Sequence, residues 1–554
     1  MLPDWLFDNF LFGLWPGSWL GRNVFSAFTT SLSIGMSLAA SGLFMLAERA
    51  RRLGRPVPER WERGVCVALT ALSFLVYYDF FNPNTRYQNY YHRHEFYHYY
   101  LGSKYFDEIG YHRLYTCTAI AEVEAGRRRE IERAEIRDLG GSNLAVPMRE
   151  TFVLSEPDRC KRHFTGERWQ AFKADVEWFH ASARGEYWDK MKLDHGYNPP
   201  PVWTMTGQLF ANLAPAGDRF FKLLAALDIL LQLGALLLIR WAFGRRIMTV
   251  AAVFWGCNAP ASFHFTCGAF LRQDWYFLFV AALCLARKRR FALSGAALTW
   301  SAGLRIFPVV AFVGIALVML FDVLRKRRLR SDYRRFILGS ALSGALLFGA
   351  SCAVTGVDAW RAFAAHIGMH KDTPLTNNMG LEMLLTASAE GRMAVTVDSR
   401  LDDDVQPWKE GYVARKHARR PLQIAISALV LGWMAWALSR VKLVWLGMAL
   451  SLPLMMSLLN LTCYYYCYFV AGAALVLWCP ALAPAYLALA AASQVLATRF
   501  YWFDDQHVAL SVLFYSFALS TLYAVSRPIT RLAWSARPSG RTSRSLAPFL
   551  RRRR

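Results

Sequence analysis

The stretch from His92 to Tyr115 combines one carboxylate with several histidines and many aromatic rings. Glu95 lies between His94 and His98, shortly after an apolar run. A carboxyl group at a membrane edge, among Tyr and Phe side chains, loses hydration. That loss raises its proton affinity, while nearby cations lower it. Such a group can act as a general base within hydrogen-bond reach of a substrate hydroxyl. The alternative is an interfacial aromatic belt in which Glu95 has no chemical role.

Two arginines are predicted at the outer ends of later apolar runs. Arg305 follows a basic loop and a short apolar run, and precedes Pro308 and another apolar run. An arginine fork binds phosphate through two N–H groups, so Arg305 and Arg272 are candidate phosphate ligands. Asp274 could accept a hydrogen bond from a sugar hydroxyl. The alternatives are that Arg305 extends to the lipid head groups, and that Arg272 and Asp274 form an ion pair or a structural polar network.

Histidines in the outer loops are candidates for substrate contact. His366 and His370 have the spacing of two ligands on one helix face, but a zinc site needs a third ligand and supporting hydrogen bonds. His92, His94 and His98 meet the same objection, because no cysteine or carboxylate completes the set in the sequence. The sequence therefore predicts no metal site, although assistance by a divalent ion stays open. The histidines expected to bind substrate are His94, His98, His264, His366 and His370.

The elements that position these residues are membrane helices. The chain has 554 residues, of which 55% are hydrophobic. Several apolar runs reach roughly 17–23 residues, enough to cross a hydrocarbon core of about 30 Å. The formal net charge is +24, but the basic residues cluster between apolar runs, as the positive-inside rule predicts for cytoplasmic loops. The composition therefore predicts an all-α integral membrane protein that does not bind nucleic acid.

The apolar runs predict about 13 spans, with the N-terminus outside and the basic tail inside. They are expected near residues 24–46, 65–81, 220–240, 248–262, 268–286, 291–304, 307–321, 336–355, 422–438, 443–459, 463–478, 484–497 and 508–526. One basic cluster, Arg415 to Arg420, opposes this arrangement. The candidate site residues fall on the outer face.

The spans and loops predict six regions. They are an N-terminal region with an interfacial helix, two spans and the first outer loop (1–115), an extracytoplasmic helical insertion (116–205), core spans with the phosphate-binding corner (206–356), a second outer loop (357–420), C-terminal spans (421–530) and a basic cytoplasmic tail (531–554). Within the insertion, residues 124–139 and 168–183 are predicted to form amphipathic helices. Cys117 and Cys160 could form a disulfide if the insertion faces an oxidising compartment, or remain two thiols.

Three motifs, in serial order, resemble the polyprenyl-phosphate-dependent GT-C glycosyltransferases, and most closely family 87 of the mannosyltransferase type. The first is acid-Phe-x-x-Tyr-Tyr at Glu95, followed by Gly-x-x-x-Leu-Tyr at Gly110. The second is Tyr-x-Pro-Pro at Tyr197, and the third is Arg-x-x-Pro at Arg305. The family pattern has Asp at the position of Glu95. The resemblance extends over roughly residues 90–385.

This resemblance implies a GT-C-like helical bundle in a bacterial-type inner membrane, with an extracytoplasmic active site and no cofactor. A sugar, with mannose as a candidate, would pass from a polyprenyl-phosphate donor to a lipid-linked glycan or another glycan or glycolipid acceptor. Glu95 would be the base, Arg305 and Arg272 would hold the departing phosphate, and Tyr197 would contact substrate. The alternatives are a lipid-linked glycan polymerase or ligase that uses an outer-loop histidine, and a multi-pass transporter.

Overall fold

The computed structural model describes residues 22–82, 90–141, 143, 145–148, 153–183, 185–266, 268–371, 373–401 and 403–526. Within these ranges the chain is built almost wholly from helices, which confirms the all-α class. The predicted interfacial segment up to residue 21 and the basic tail 531–554 lie outside the described residues. So does most of the short connection between the second apolar run and the candidate base.

The helices follow the predicted apolar runs closely. Before the insertion they are Arg22–Arg52 and Glu59–Tyr77, with a 3₁₀ turn at Asp79–Phe81. The central helices are Pro201–Ala211, Asp218–Phe243, Arg245–Cys257, Phe263–Thr266, Asp274–Arg287, Phe291–Leu304, Val310–Lys326, Ser331–Thr355 and Asp358–Lys371, with a 3₁₀ turn at Phe307–Val309. The last part contains Leu381–Thr386, Met393–Thr396, Gln406–Leu438, Val444–Ala449, Leu452–Leu458, a 3₁₀ segment at Cys463–Leu477, Leu482–Ala497 and Phe503–Ser526.

In the described part of the chain, six helices are long and apolar enough to cross a membrane. They cover Ser26–Arg52, Asp218–Phe243, Phe307–Lys326, Ser331–Thr355, Gln406–Leu438 and Phe503–Ser526. Four shorter apolar segments lie between them. Leucines on these long helices are largely uncovered; Leu346 and Leu429, for example, expose 71% and 74% of their surface. Such apolar surfaces are stable against lipid. The architecture is consistent with a helical membrane protein, and the count of 13 spans stays a prediction.

The helix that ends just before Arg305, Phe291–Leu304, packs closely against its neighbours. Helix Phe291–Leu304 packs against Ser331–Thr355 through small residues, because a Cβ on Gly339 would stand 2.0 Å from the Ala292 carbonyl oxygen. On its other side it meets helix Asp274–Arg287, where the Ser301 hydroxyl donates to the Trp275 carbonyl at 2.7 Å. Small residues that let backbones approach are typical of helix contacts in membranes. This packing fixes where Arg305, the residue after the helix, must lie.

Residues 93–191, which comprise the end of the predicted first outer loop and most of the predicted insertion, form a compact helical body. Its segments are Arg93–Phe96, a π-helical turn Tyr97–Leu101, Gly102–Lys104, Phe106–Ile109, Leu114–Glu124, Arg128–Arg133, Asp158–Lys161, Gly166–Ser182 and Gly185–Met191. A disulfide joins Cys117 to Cys160, with a Cα–Cα distance of 5.6 Å, so the alternative of two free thiols was wrong.

The prediction for 168–183 is confirmed, and that for 124–139 is wrong in its second half. There Glu135–Arg137 forms an antiparallel strand with Ala145–Pro147. Ile136 alone of the three residues is buried, which is the two-residue periodicity of a strand. A second two-stranded sheet pairs Asn378–Met379 with Leu461–Thr462.

Candidate functional site

A short backbone pairing brings Glu95 close to Arg272. Tyr91 and Gly268 form a parallel β-bridge. The Gly268 N–H donates to the Tyr90 carbonyl at 3.1 Å, and the His92 N–H donates to the Gly268 carbonyl at 2.8 Å. Four residues beyond this bridge in each segment, Arg272 Nη1 donates to Glu95 Oε2 at 3.0 Å. Two segments separated by more than 170 residues thus meet at an ion pair.

Glu95 lies in the first turn of the short helix Arg93–Phe96. The His92 side chain caps this helix by accepting from the Glu95 N–H at 3.3 Å. The helix continues as the π-turn Tyr97–Leu101 and then ends at Tyr105. The chain is therefore helical from Arg93 to Lys104, with a wider turn in the middle of this run. Turns of this kind are frequent at functional sites.

Arg272 is held in an aromatic environment. Its side chain is only 4% exposed, and its guanidinium lies 4.2 Å from the centre of the Tyr464 ring. Tyr465 is the next ring, at 6.0 Å. Arginine is stabilised over aromatic faces, more so where water is excluded. Among the described residues Arg272 Nε has no hydrogen-bond partner. A buried N–H without a partner is costly, and it leaves a donor available to a ligand.

Arg305 reaches the same cluster from the end of helix Phe291–Leu304. Its Nη1 donates to the Leu304 carbonyl at 2.8 Å, and its guanidinium stands 5.7 Å from the Trp203 ring. The Trp203 ring also lies 5.4 Å from that of Tyr99, and its indole N–H donates to the Leu271 carbonyl at 3.3 Å. Trp203 therefore connects both arginine-bearing segments to the helix of Glu95.

Tyr99 lies among the three charged candidates. It interacts electrostatically with Glu95, Arg272 and Arg305. Burial, followed by the Glu95 carboxylate, raises the pKa of Tyr99 well above its ordinary value. The hydroxyl thus keeps its proton and donates to Asn198 Oδ1 at 2.9 Å.

Asp274 completes the charged set beside Arg305. It is the first residue of helix Asp274–Arg287, and its Oδ1 accepts from the Trp275 N–H at 2.6 Å. Asp274 and Arg305 interact electrostatically but form no direct ion pair. Asp274 Oδ2 is buried and has no hydrogen-bond partner in the described part of the chain. The predicted Arg272–Asp274 ion pair was wrong, because the backbone turn at Leu271, with φ of 48°, directs Arg272 to Glu95 instead.

No family model, no curated protein and no solved structure matches this chain. The resemblance to the family-87 transferases stays a prediction.

The predicted histidines fall into separate places. His94 and His98 lie on one helix face beside Asp194, with His94 Nε2 and Asp194 Oδ2 2.6 Å apart. His366 is buried on helix Asp358–Lys371, where its ring stacks on Tyr111 at 5.3 Å and meets His112 at 5.6 Å. The side chains of His264 and His370 lie outside the described residues.

Tyr197 packs against residues of the site. It is fully buried, its hydroxyl donates to Thr204 Oγ1 at 2.7 Å, and its ring packs against Tyr99 and Tyr111. The same ring lies against Gly102, where a Cβ would stand 2.2 Å from Tyr197 Cδ2. This packing fits a positioning role better than the substrate contact predicted from the motif.

Sequence reasoning did not assign Trp203, Tyr464 or Tyr465 to the site, although all three touch its arginines. The only available signal was the run Tyr464-Tyr465-Tyr466 at the outer end of a predicted span, which an interfacial belt explains equally well. Which rings contact a guanidinium depends on tertiary packing.

The helical body of residues 93–191 also contains a cavity of about 720 Å³ beside the disulfide. Arg113, Arg162 and His163 are among the residues that line it. Burial and the neighbouring Arg162 lower the pKa of Arg113. Three arginines line the cavity against two acidic residues, Asp138 and Glu156, and none of the lining residues belongs to the cluster around Glu95.

Proposed function

We propose that this chain is a membrane glycosyltransferase that moves a sugar from a polyprenyl-phosphate donor to a glycan or glycolipid acceptor on the extracytoplasmic face. The observation that carries this proposal is the convergence of one carboxylate and two guanidinium groups from three distant segments. Glu95, Arg272 and Arg305 all interact with Tyr99; the two arginines are buried, and Glu95 is half-buried beside them. Transfer from a phosphate-linked sugar needs one base and cationic groups for the leaving phosphate.

In this mechanism Glu95 removes the proton of an acceptor hydroxyl as that oxygen attacks the anomeric carbon. The new C–O bond forms on the face opposite the phosphate, and the bond from the anomeric carbon to the phosphate oxygen breaks. The product is therefore inverted, the proton resides on Glu95, and the leaving group is a polyprenyl phosphate. Arg305 and Arg272 stabilise the negative charge that develops on the phosphate.

The electrostatics support this division of roles. Arg305 is buried without a direct carboxylate partner among the described residues. An unpaired buried cation is expensive, and a phosphate would compensate it. Arg272 is paired with Glu95 but retains an unused Nε donor. As Glu95 takes a proton and loses its charge, Arg272 becomes free to bind the phosphate more strongly.

The test is reconstitution of the purified chain in liposomes with a polyprenyl-phosphate sugar and candidate acceptors, with release of free polyprenyl phosphate as the readout. We expect Glu95→Gln to lower turnover more than about 100-fold, since general-base catalysis contributes at least that much, and to leave donor binding largely intact.

Glu108→Gln is the matched control, because Glu108 is a buried glutamate on the same segment that pairs with Arg168 instead, at 2.5 Å. This control should keep most of the activity. Full activity of Glu95→Gln would remove Glu95 as the base. Movement of the intact donor across the membrane without phosphate release would favour a transporter.

A further inference from the structure

His94, His98 and Asp194 form a cluster that the transferase mechanism does not use. The two histidines are one helical turn apart, and Asp194 arrives from the segment before Tyr197. One potential ligand atom from each of the three side chains lies within 4.8 Å of the other two. The two imidazole rings are 4.6 Å apart. No metal was predicted here from the sequence, because the carboxylate that completes the set lies about 100 positions further along the chain.

Two imidazoles and one carboxylate are a common donor set for zinc and related divalent ions. The outer contacts also match those of a metal ligand. His98 Nδ1 lies 2.7 Å from the His94 carbonyl oxygen, to which it donates. Metal-bound histidines usually donate their second ring nitrogen in this way, which leaves Nε2 with a lone pair for the ion.

Hydrogen bonding inside the cluster is incomplete for a neutral His98. Its Nε2 stands 2.7 Å from the Tyr115 hydroxyl and 3.1 Å from the Met191 carbonyl oxygen. The Tyr115 hydroxyl already donates to the Asp194 carbonyl oxygen at 2.8 Å. With Nδ1–H used as well, the Nε2 lone pair faces two oxygens, those of Tyr115 and Met191, and receives a proton from neither. A cation bound at this point turns that repulsion into attraction.

We propose that His94, His98 and Asp194 bind a divalent transition-metal ion, with zinc as the best fit, in a structural site. The Tyr115 hydroxyl or a water completes a tetrahedral set. Ligands of one zinc ion stand about 3.3 Å apart when each bond is about 2.0 Å, so the His94–Asp194 contact at 2.6 Å must open slightly.

The bound ion fixes the helix that carries Glu95 to the chain before Tyr197. The inference does not depend on glycosyl transfer, since the same site would stabilise this body whatever reaction it supports.

The experiment measures zinc in the full-length protein, purified in detergent without chelator, by mass spectrometry. About one zinc per chain is expected. After chelation the thermal midpoint should fall, and added Zn²⁺ alone should restore it. Asp194→Asn and His98→Gln should weaken Zn²⁺ binding more than about tenfold, whereas His180→Gln, a histidine on helix Gly166–Ser182, should bind normally.

Two results would overturn the site: wild-type protein that neither retains zinc nor shifts its thermal midpoint with Zn²⁺, or Asp194→Asn with unchanged zinc affinity. The wild-type chelation and restoration series decides the matter even if a variant fails to fold. Glu95→Gln should keep its zinc, so loss of turnover in that variant and loss of metal are separable outcomes.

Discussion

At the scale of single residues, Arg305 is the most informative side chain. It is buried, it donates one N–H to a backbone carbonyl, and it lies near the Trp203 ring without a direct ion pair to any carboxylate among the described residues. Burying a charged group in a membrane protein is costly, so such groups are found mainly where they have a function. A bidentate fork that binds a phosphate explains the side chain better than a role in folding.

Arg305→Ala should raise the KM for the polyprenyl-phosphate donor by more than about tenfold, because it removes charge-assisted hydrogen bonds. Arg305→Lys should recover only part of this loss, since an ammonium restores the charge but not the planar fork. The measurement is initial rate against donor concentration in liposomes, with acceptor held saturating.

Arg137→Ala is a suitable control. Arg137 also donates to backbone carbonyls, those of Leu193 and Asn143, but it lies on strand Glu135–Arg137, away from the cluster around Glu95. We expect it to lower the thermal midpoint without changing the donor KM. Equal KM effects for the two variants would argue against a phosphate contact at Arg305.

Charged residues of the site could be predicted from sequence because a carboxylate or arginine at the edge of an apolar run is rare and therefore conspicuous. Their aromatic partners could not, because the chain contains 20 Trp and 24 Tyr. The Arg272–Glu95 pairing also escaped prediction, since it depends on which backbones pair and on the left-handed turn at Leu271.

At the scale of elements, the bridge between Tyr91 and Gly268 positions the candidate base. Gly268 has no room for a side chain: a Cβ there would stand 2.8 Å from Tyr90 Cε1 and 2.9 Å from Ala225 Cβ. The two segments can approach closely only because this residue is glycine. The ion pair between Glu95 and Arg272 follows directly after this contact in both segments.

Gly268→Ala should therefore separate the two segments, destabilise the protein by about 1–3 kcal/mol and lower turnover more than about tenfold. The thermal midpoint and the rate of polyprenyl phosphate release measure the two effects. Gly349→Ala provides the comparison, because nothing lies within 4 Å of its added Cβ on helix Ser331–Thr355. That variant should be neutral or gain up to about 1 kcal/mol. Wild-type turnover in Gly268→Ala would show that the bridge does not set the site.

Element prediction worked best for long apolar runs, because a membrane leaves a segment of that length no choice but a helix. It failed in the polar insertion, where residues 135–137 form a strand. Charged and apolar residues alternate there over too few positions to distinguish the two periods.

At the scale of the whole molecule, the basic cluster from Arg415 to Arg420 has a local explanation. Arg415 donates to the Thr386 carbonyl at 2.7 Å, and Arg419 donates to the Leu385 carbonyl. Lys416 is buried 3.6 Å from Glu382. These side chains join helix Gln406–Leu438 to the predicted second outer loop. A cluster engaged in this way says little about sidedness, so it does not count against the predicted orientation.

The disulfide stabilises the helical body of residues 93–191. Cys117 and Cys160 are separated by 43 residues, and closing such a loop contributes about 4 kcal/mol in the chain-entropy model. Cys117→Ser should therefore lower the thermal midpoint of the protein.

The disulfide also permits a direct test of the predicted orientation. Disulfides persist in oxidising compartments. The experiment treats intact host cells, stripped of any outer envelope, with a maleimide that cannot cross the membrane. This reagent should therefore label Cys117 and Cys160 only after the disulfide is reduced, and the labelling should not require lysis of the cells. The remaining cysteines in the described chain are mostly buried and serve as the internal background. Labelling that requires lysis would place the insertion, and with it Glu95, on the cytoplasmic side, where a polyprenyl-phosphate sugar facing outward could not reach it.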